Sequence, residues 1–417
     1  MSDIYIVGVG MTPFGKFLDR SVKDLVHAAT RDALKDAGAS LADIGAAFYS
    51  NTVQGALEGQ LMVGGQVALR SMGFEGIPIT NVENACASAS TAFHLAYTNL
   101  KAGMSDVALA VGADKMFDKD KAKTAAVFNG AWDVHDVEHI TRSLIALGEG
   151  VEPPPGRKEE GGLRSVFMDV YAALAKSHMK RFGTTERQLA AVAAKNHHHS
   201  VHNERSQYRN DMTVEEVLAA RMISWPLTLP MCAPISDGGA AAVLCREEAL
   251  SRFDRSRAVK VCATVLASGV NRAADDAEDH ICRRAALRAY DQAGIGPDDI
   301  SVVELHDASA FAEIVQVENL GLCEIGKGGW LAERGETALG GRVPVNPSGG
   351  LESKGHPIGA TGLGQIFELV TQLRGEAGPR QVPKARFALA ENGGGFYGFE
   401  EAAACITILG RDRAAAA

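Results

Sequence analysis

The sequence predicts an α/β fold made of two homologous βαβ-rich halves that are related by a pseudo-twofold axis. Three features of the chain indicate this. A helix, an Ala-Gly stop, a short loop and a strand start occur twice, as ALKDAGASLADI at 33–44 and as AYDQAGIGPDDI at 289–300. A second pair of helices ends at Gly103 and at Gly375, and the strand sequence ALA at 108–110 returns at 388–390. Matching segments in the same order are typical of a duplicated unit.

The elements of the first half follow from local patterns. Buried strands are predicted at 4–10, 44–49 and 107–112, where apolar residues run without alternation. A helix is predicted over 21–37, with Ser21 and Asp24 spaced as a capping box and Gly38 as its stop. The segment DGGAAA at 237–242 is predicted to begin a tightly packed helix.

The middle of the chain departs from this pattern. Residues from about 116 to 231 contain PPP at 153–155 and several short helical patterns. Long insertions on α/β scaffolds often carry ligand contacts, so we expect an inserted loop subdomain here. The predicted domains are an N-terminal half at 1–255, which carries this insertion, and a C-terminal half at 256–417.

Composition excludes several classes of protein. The chain is 46% hydrophobic and 22% charged, which is typical of a globular protein with a large core. A net charge of −9 without a basic tract argues against nucleic acid as the main partner. The chain has neither an apolar run long enough for a membrane span nor a signal-peptide pattern. Its seven cysteines are scattered without CxxC spacing, so neither disulfides nor a structural zinc site is expected. We therefore expect a cytoplasmic location.

Cys86 and His356 are the first candidates for chemistry. Cys86 lies in NACASAS, between a predicted strand and a helix of small residues, where the helix dipole favours a thiolate. A buried structural cysteine is the alternative interpretation. His356 lies in a glycine-rich stretch before Pro357, which is typical of a helix start. The internal repeat places these two turns in equivalent positions, so we expect them to meet near the pseudo-twofold axis.

Two further segments complete the candidate site. His306 ends a predicted strand at 302–307, and ligands of α/β sheets bind beyond the carboxyl ends of strands. The segment AENGGGFYG at 390–398 offers backbone N–H donors to an oxyanion, or is simply a flexible turn. His198 and His202 have the i,i+4 spacing of a metal pair, but no carboxylate or cysteine is suitably spaced, and no metal is predicted.

Together, NACAS at 84–88, HD at 306–307 and GHPIGATG at 355–362 resemble the thiolase superfamily. KNHHHSV at 195–201, SDGGAAA at 236–242 and NPSGGLESKGHP at 346–357 are most similar to the thiolase domain of sterol-carrier-protein-type thiolases, also called lipid-transfer proteins. The resemblance implies a thiolase fold, a loop domain for coenzyme A, and a homodimer or homotetramer that acts in lipid metabolism. It implies no cofactor besides coenzyme A as a substrate, and the residues that bind coenzyme A are not identified.

The same resemblance implies roles for the three candidates. Cys86 matches the nucleophile that takes the acyl group. His356 matches the histidine that deprotonates this cysteine and helps to hold the thioester oxygen, and His306 matches the histidine that binds the enolate oxygen. The implied activity is a thiolase-type acyl transfer on acyl-CoA or 3-oxoacyl-CoA, by Claisen cleavage or condensation through an acyl-Cys86 thioester.

The chain departs from the family where the second catalytic cysteine is expected. Ala308 and Ser309 follow HD in place of a cysteine and an aromatic residue, and the C-terminal CxG region reads Glu391, Asn392, Gly393, Gly394. Three interpretations stay open. Glu391 or His356 serves as the base, with Asn392 and Gly393 as further oxyanion candidates. The protein is a ketosynthase-like or aldolase-like relative. Or it is a non-catalytic acyl-CoA-binding subunit that works with a small partner subunit.

Overall fold

The computed structural model describes residues 2–157 and 165–411. The strands are β1 Ile4–Met11, β2 Ala46–Ser50, β3 Ile79–Val82, β4 Val107–Lys115, β5 Met222–Ser224, β6 Leu227–Thr228, β7 Asp237–Arg246, β8 Val259–Ser268, β9 Val302–Glu304, β10 Phe387–Gly394 and β11 Ala403–Gly410. The α-helices are α1 Val22–Ala37, α2 Gln54–Leu57, α3 Gly64–Arg70, α4 Ser88–Lys101, α5 Lys121–Val127, α6 Val137–Ala146, α7 Val166–Phe182, α8 Glu186–Ser200, α9 Val214–Ala219, α10 Ile281–Ala293, α11 Ala310–Asn319, α12 Gly328–Glu333, α13 Gly350–Lys354 and α14 Thr361–Arg374.

Nine strands form one sheet whose order reveals the duplication. The order is β3-β2-β4-β7-β1-β8-β11-β10-β9, so each half contributes its strands in mirrored sequence around the central β1–β8 contact. That contact is short and antiparallel, with Tyr5 opposite Lys260 and Ile6 opposite Val259. In the second half, the position of β3 is held by a single parallel bridge between Val303 and Val345. The predicted fold of two homologous halves is confirmed.

Helices α4 and α14 pack together in the middle of the molecule, between the inner faces of the two halves. Their core side chains include Phe93, Leu100, Leu363 and Leu369. The backbones approach closely because Gly362 has no side chain, and a Cβ there would collide with Ser90 Oγ. Helices α1 and α10 cover the outer faces. This arrangement brings the N-terminal ends of α4 and α14 side by side.

Local predictions for the first half are mostly confirmed. Ser21 and Asp24 form the capping box of α1, and Gly38 ends that helix in the left-handed conformation, with φ 67°. The predicted helix at 237–242 is wrong, because this segment begins β7. The run is buried on both faces and pairs with β1 and β4 on either side. A small apolar run suits a central strand as well as a helix, so position in the sheet decided its structure.

The chain between β4 and β7 contains helices α5 to α9 and the β5–β6 hairpin. Helices α7 and α8 share a core with α11 of the C-terminal half, through Val170, Leu189 and Phe311. The domain boundaries given above stay a prediction. No helix among the described residues combines the length and apolar character needed to cross a membrane.

Candidate active site

Cys86 occupies the turn between β3 and α4, two residues before the helix begins. Ala85 adopts a left-handed φ of 47°, which turns the chain sharply at this point. Ser88 fastens the turn, since its hydroxyl accepts from the Asn84 N–H at 2.8 Å and donates to the Ala85 carbonyl at 2.6 Å. The thiol is therefore presented on a fixed backbone at the head of the central helix.

The structure brings Cys86, His306 and His356 together. Cys86 Sγ lies 3.3 Å from His356 Nε2, and His306 Nε2 lies 3.4 Å from that same nitrogen. One ligand atom from each residue lies within 4.8 Å of the others, so the set could also hold a metal ion. Residues 270 positions apart in sequence meet because equivalent turns of the two halves meet at the axis.

An extended segment before β7 fixes both histidine loops. The Ala233 N–H donates to the Ala308 carbonyl at 3.1 Å, next to His306. Three residues further on, the Ser236 hydroxyl accepts from the His356 N–H at 3.0 Å. The segment therefore ties together the loop after β9 and the loop before α14.

The hydrogen bonds of Thr361 define which nitrogen of His356 carries the proton. The Thr361 hydroxyl donates to the Pro357 carbonyl at 3.0 Å, so it accepts from His356 Nδ1 at 2.6 Å. Nδ1 is then the protonated nitrogen, and Nε2 faces the Cys86 thiol with a lone pair. Because His356 Nε2 carries no proton, a hydrogen bond across its 3.4 Å contact with His306 Nε2 requires His306 as the donor. His356 is thus poised as a base for the thiol, and His306 as a hydrogen-bond donor.

Burial determines the protonation states of Cys86, His306 and His356. It raises the pKa of Cys86 to about 12, opposed by the Gly395 N–H, which donates to the sulfur. Burial also lowers the pKa of His356 well below its usual range, and that of His306 to about 4. The resting state is therefore a neutral thiol beside neutral imidazoles. The start of a helix favours a thiolate at Cys86, and desolvation opposes it by raising the pKa of the thiol.

The predicted donor segment at 390–398 approaches Cys86 through Gly394 and Gly395, which follow the candidates Asn392 and Gly393. Gly394 and Gly395 line the cavity around Cys86. At Gly394 the approach is close, since a Cβ would collide with the Asn84 carbonyl. Asn392 instead accepts a hydrogen bond from Ser90 Oγ at 2.8 Å, and Gly393 packs against Glu401. The backbone N–H groups of Gly395 and of Cys86 itself act on the sulfur and lower the pKa of the thiol, against the larger effect of burial.

Glu391 lies behind the site and not in it. Its Oε2 accepts from the His306 N–H at 2.9 Å, and its Oε1 accepts from the Cys282 thiol at 3.4 Å. Burial raises the pKa of Glu391 to about 8. Both of its oxygens are engaged and the side chain is fully buried away from the cavity lining. In this conformation Glu391 positions the His306 backbone and does not reach a substrate.

The three candidates open into a cavity of about 790 Å³. Its wall is largely apolar, and Phe128, Phe167, Tyr171 and Phe396 supply aromatic side chains from the insertion and from the loop after β10. Ala308 lies in the wall, as do Cys232, Glu352 and Glu401. Sequence analysis missed these last three because each stands outside any recognisable motif.

The histidine pair considered as a metal site is used otherwise. His198 Nδ1 lies 3.1 Å from Asp211 Oδ2, and both side chains are exposed. His280, Cys282 and Glu401 form a second group whose ligand atoms lie close enough together for a metal ion.

Comparison with known proteins shows the family. The N-terminal thiolase domain matches residues 4–218, and the thiolase C-terminal domain-like family matches residues 266–411. The chain belongs to the thiolase family. This confirms the resemblance, the thiolase fold and the predicted class of enzyme, a thiolase-type acyltransferase.

Individual relatives of the chain support the same family assignment. Sterol carrier protein 2 of Oryctolagus cuniculus is 36% identical over 399 residues, covering 93% of this chain and 69% of the relative. Acetyl-CoA acetyltransferase of Methanothermobacter thermautotrophicus is 37% identical over 405 residues, covering 95% and 98%. Benzoylsuccinyl-CoA thiolase subunit BbsB of Thauera aromatica is 34% identical over 398 residues, covering 94% of each chain. Among solved structures, the Ltp2-ChsH2(DUF35) aldolase superposes with a TM-score of 0.76 at 22% identity, covering 99% and 98%.

Proposed function

We propose that the protein transfers acyl groups between coenzyme A thioesters through a covalent acyl-Cys86 intermediate. The observation that carries this proposal is the 3.3 Å approach of the Cys86 thiol to the unprotonated nitrogen of His356. His356 takes the thiol proton as sulfur attacks the thioester carbonyl, and the Gly395 N–H stabilises the oxyanion. Coenzyme A leaves with a proton and the acyl group stays on Cys86.

The cavity supports acyl-CoA or 3-oxoacyl-CoA as the substrate. Its apolar and aromatic wall suits an acyl chain, and Cys86 and the two histidines supply its polar end. In the cleavage direction, His306 and His356 hold the enolate oxygen that forms as the carbon–carbon bond breaks. Coenzyme A enters this scheme as a substrate, and no other cofactor is required.

Action with a partner subunit is a second candidate, and the replacement of the usual thiol by Ala308 favours it. One relative of similar length is named as the subunit of a thiolase. An aldolase-like reaction is a further alternative, supported by the name of a structural neighbour.

We propose a homodimer or homotetramer in the cytoplasm on the family resemblance. Size-exclusion chromatography with light scattering measures the mass of the purified protein and tests the oligomeric state. The same measurement after incubation with cell extract tests for a partner subunit.

Acylation of the purified protein tests the proposed function. Incubation with acetyl-CoA and with octanoyl-CoA is expected to release coenzyme A and to add one acyl mass to the peptide that contains Cys86. The adduct should disappear when free coenzyme A is added, because transfer from the acyl-enzyme is reversible. Binding of acyl-CoA without any adduct would instead support the non-catalytic subunit.

Replacing His306 by alanine is expected to separate the two halves of the reaction. The change removes the N–H that would hold the enolate oxygen but leaves the Cys86–His356 contact, so acyl-Cys86 should still form. Thiolysis of a 3-oxoacyl-CoA should fall about a hundredfold or more, the scale of one lost acid–base or oxyanion group. Single-turnover acylation and steady-state thiolysis measure the two steps. An equal loss in both would contradict the assignment.

A further inference from the structure

The side chains of Cys86, His306 and His356 bring three potential metal ligands to one place. A thiolate sulfur and imidazole nitrogens are ligands that suit Zn²⁺ and related cations. The three residues come from separate turns, before α4, after β9 and before α14, and all of them line the cavity. One ligand atom of each lies within 4.8 Å of the other two, so all three can reach a single cation.

The separations between these ligand atoms resemble those around a tetrahedral Zn²⁺. With Zn–N distances of about 2.0–2.1 Å and a Zn–S distance of about 2.3 Å, tetrahedral angles place two nitrogens about 3.4 Å apart and a sulfur about 3.6 Å from each nitrogen. The Nε2 atoms of His306 and His356 lie 3.4 Å apart, and Cys86 Sγ lies 3.3 Å from His356 Nε2. Two of the three separations therefore agree with one shared cation.

The hydrogen bonds of the two histidine rings leave their Nε2 atoms available to a metal. Thr361 holds the proton of His356 on Nδ1, so Nε2 presents a lone pair toward Cys86. Histidines that bind metals are typically oriented in this way, by a hydrogen bond from the other ring nitrogen. Within the described part of the chain no hydrogen bond engages Nδ1 of His306, so that ring can carry its proton there and coordinate through Nε2.

The second group of possible ligands, His280, Cys282 and Glu401, is less suited to a cation. His280 Nδ1 accepts a hydrogen bond from the Cys282 N–H at 3.2 Å, so the proton of the neutral ring lies on Nε2. That protonated nitrogen is the atom that lies 3.4 Å from Glu401 Oε2, and it has no lone pair for a metal. The Cys282 thiol is also engaged, since it donates to Glu391. Of the two groups, the one at Cys86 is therefore the better cation site.

The cavity supplies the fourth position of such a site. A Zn²⁺ that is held by three protein ligands keeps one position for water or another small ligand. Cys86 and the two histidines border a cavity of about 790 Å³, so a cation and a small ligand can both reach them. A cation bound there would be coordinated by the same sulfur that attacks the thioester.

We propose that Cys86, His306 and His356 form a Zn²⁺ site whose occupation stops acyl transfer. Binding replaces the S–H bond of Cys86 by an S–Zn bond, the proton goes to solvent, and nothing is oxidised or reduced. A zinc-bound sulfur does not attack a thioester, and an acylated sulfur is a poor metal ligand, so Zn²⁺ and the acyl group compete for one atom. Zn²⁺ is thus an inhibitor and not a cofactor. The inhibition rests on the proposed function, whereas the binding of the cation does not.

Titration of the purified, metal-free protein with Co²⁺ and then with Zn²⁺ tests this site. Bound Co²⁺ should show a sulfur-to-cobalt charge-transfer band, and Zn²⁺ should displace it. Cys86→Ala should remove the band and weaken Zn²⁺ binding by more than about a hundredfold, because loss of a residue that only orients a ligand already costs about tenfold to a hundredfold. Thr361→Val is such a loss and should fall within that range. Cys282→Ala, which removes a ligand of the second group, is the matched control and should bind like the wild type.

Two measurements on the wild-type protein complete the test. An equimolar amount of Zn²⁺ should block the formation of acyl-Cys86 from acetyl-CoA, and a chelator should restore it. Bound Zn²⁺ should also protect the peptide that contains Cys86 from alkylation by iodoacetamide, as measured by mass spectrometry.

Several results would overturn the proposal. One is a wild-type protein without the sulfur band, or one that binds Zn²⁺ only at a large excess of metal. A band that persists in Cys86→Ala is another, and its loss in Cys282→Ala would assign the cation to the second group. If Cys86→Ala does not fold, the alkylation decides, since equal labelling of Cys86 with and without Zn²⁺ contradicts the site. Protein that binds Zn²⁺ at Cys86 but forms no acyl-Cys86 when metal-free would overturn the proposed function and leave the metal site standing.

Discussion

Replacing Cys86 by alanine is expected to abolish acyl-enzyme formation, with a loss of at least about 10⁴-fold in coenzyme A release. The reason is that the sulfur forms the covalent bond, and none of the neighbouring groups can substitute for it. His306 and His356 remain in place but have no nucleophile to activate. Mass spectrometry of the intact protein after incubation with acyl-CoA measures the loss directly.

Cys232 offers a matched control for this experiment. It also lines the cavity, but its thiol donates to the Thr228 carbonyl at 3.4 Å, and burial raises its pKa above the usual range. Cys232→Ala should therefore keep its acyl-Cys86 adduct. An adduct that survives in Cys86→Ala and vanishes in Cys232→Ala would show that the wrong thiol has been assigned.

Replacing His356 by alanine is expected to slow acylation of Cys86 by about 10²- to 10⁴-fold, the usual contribution of a positioned general base. The effect should be large because burial raises the pKa of Cys86 to about 12, so the thiol hardly ionises without help. Stopped-flow measurement of coenzyme A release gives the rate. An unchanged rate would mean that the thiol ionises by another route.

The pH dependence follows from the same neutral pair. Burial holds the pKa of His356 well below its usual range, so its base form persists as the pH falls through about 6.5, where an ordinary histidine becomes protonated. Wild-type acylation should therefore stay constant from about pH 7.5 to about pH 6.

Thr361→Val removes the acceptor for His356 Nδ1, so the proton of His356 is no longer held on that nitrogen. The loss in acylation rate should be smaller than in His356→Ala.

Sequence alone determined the fold and predicted Cys86 as the candidate nucleophile. The paired segments at 33–44 and 289–300 predict two equivalent halves, and the sheet order shows them. The turns that hold Cys86 and His356 occupy equivalent positions in the two halves. Because a pseudo-twofold axis brings equivalent positions together, the sequence predicts that these two turns lie side by side. Helix caps such as Ser21 can also be predicted from sequence, because a capping box involves residues only three positions apart.

Tertiary structure alone decided where the buried carboxylates lie relative to the cavity. Side chains alternate across a strand, so Glu391 on β10 points behind the wall, whereas Gly394 on the opposite face meets the turn that holds Cys86. Glu401, in the loop before β11, packs against Gly393 on the same face of β10 as Glu391, and no motif marks it. The charge of the site was likewise set by burial, which local sequence does not encode: the dipole of α4 favours a thiolate, but desolvation keeps Cys86 neutral. Local patterns fix elements and turns, whereas orientation and protonation depend on residues hundreds of positions apart being packed together.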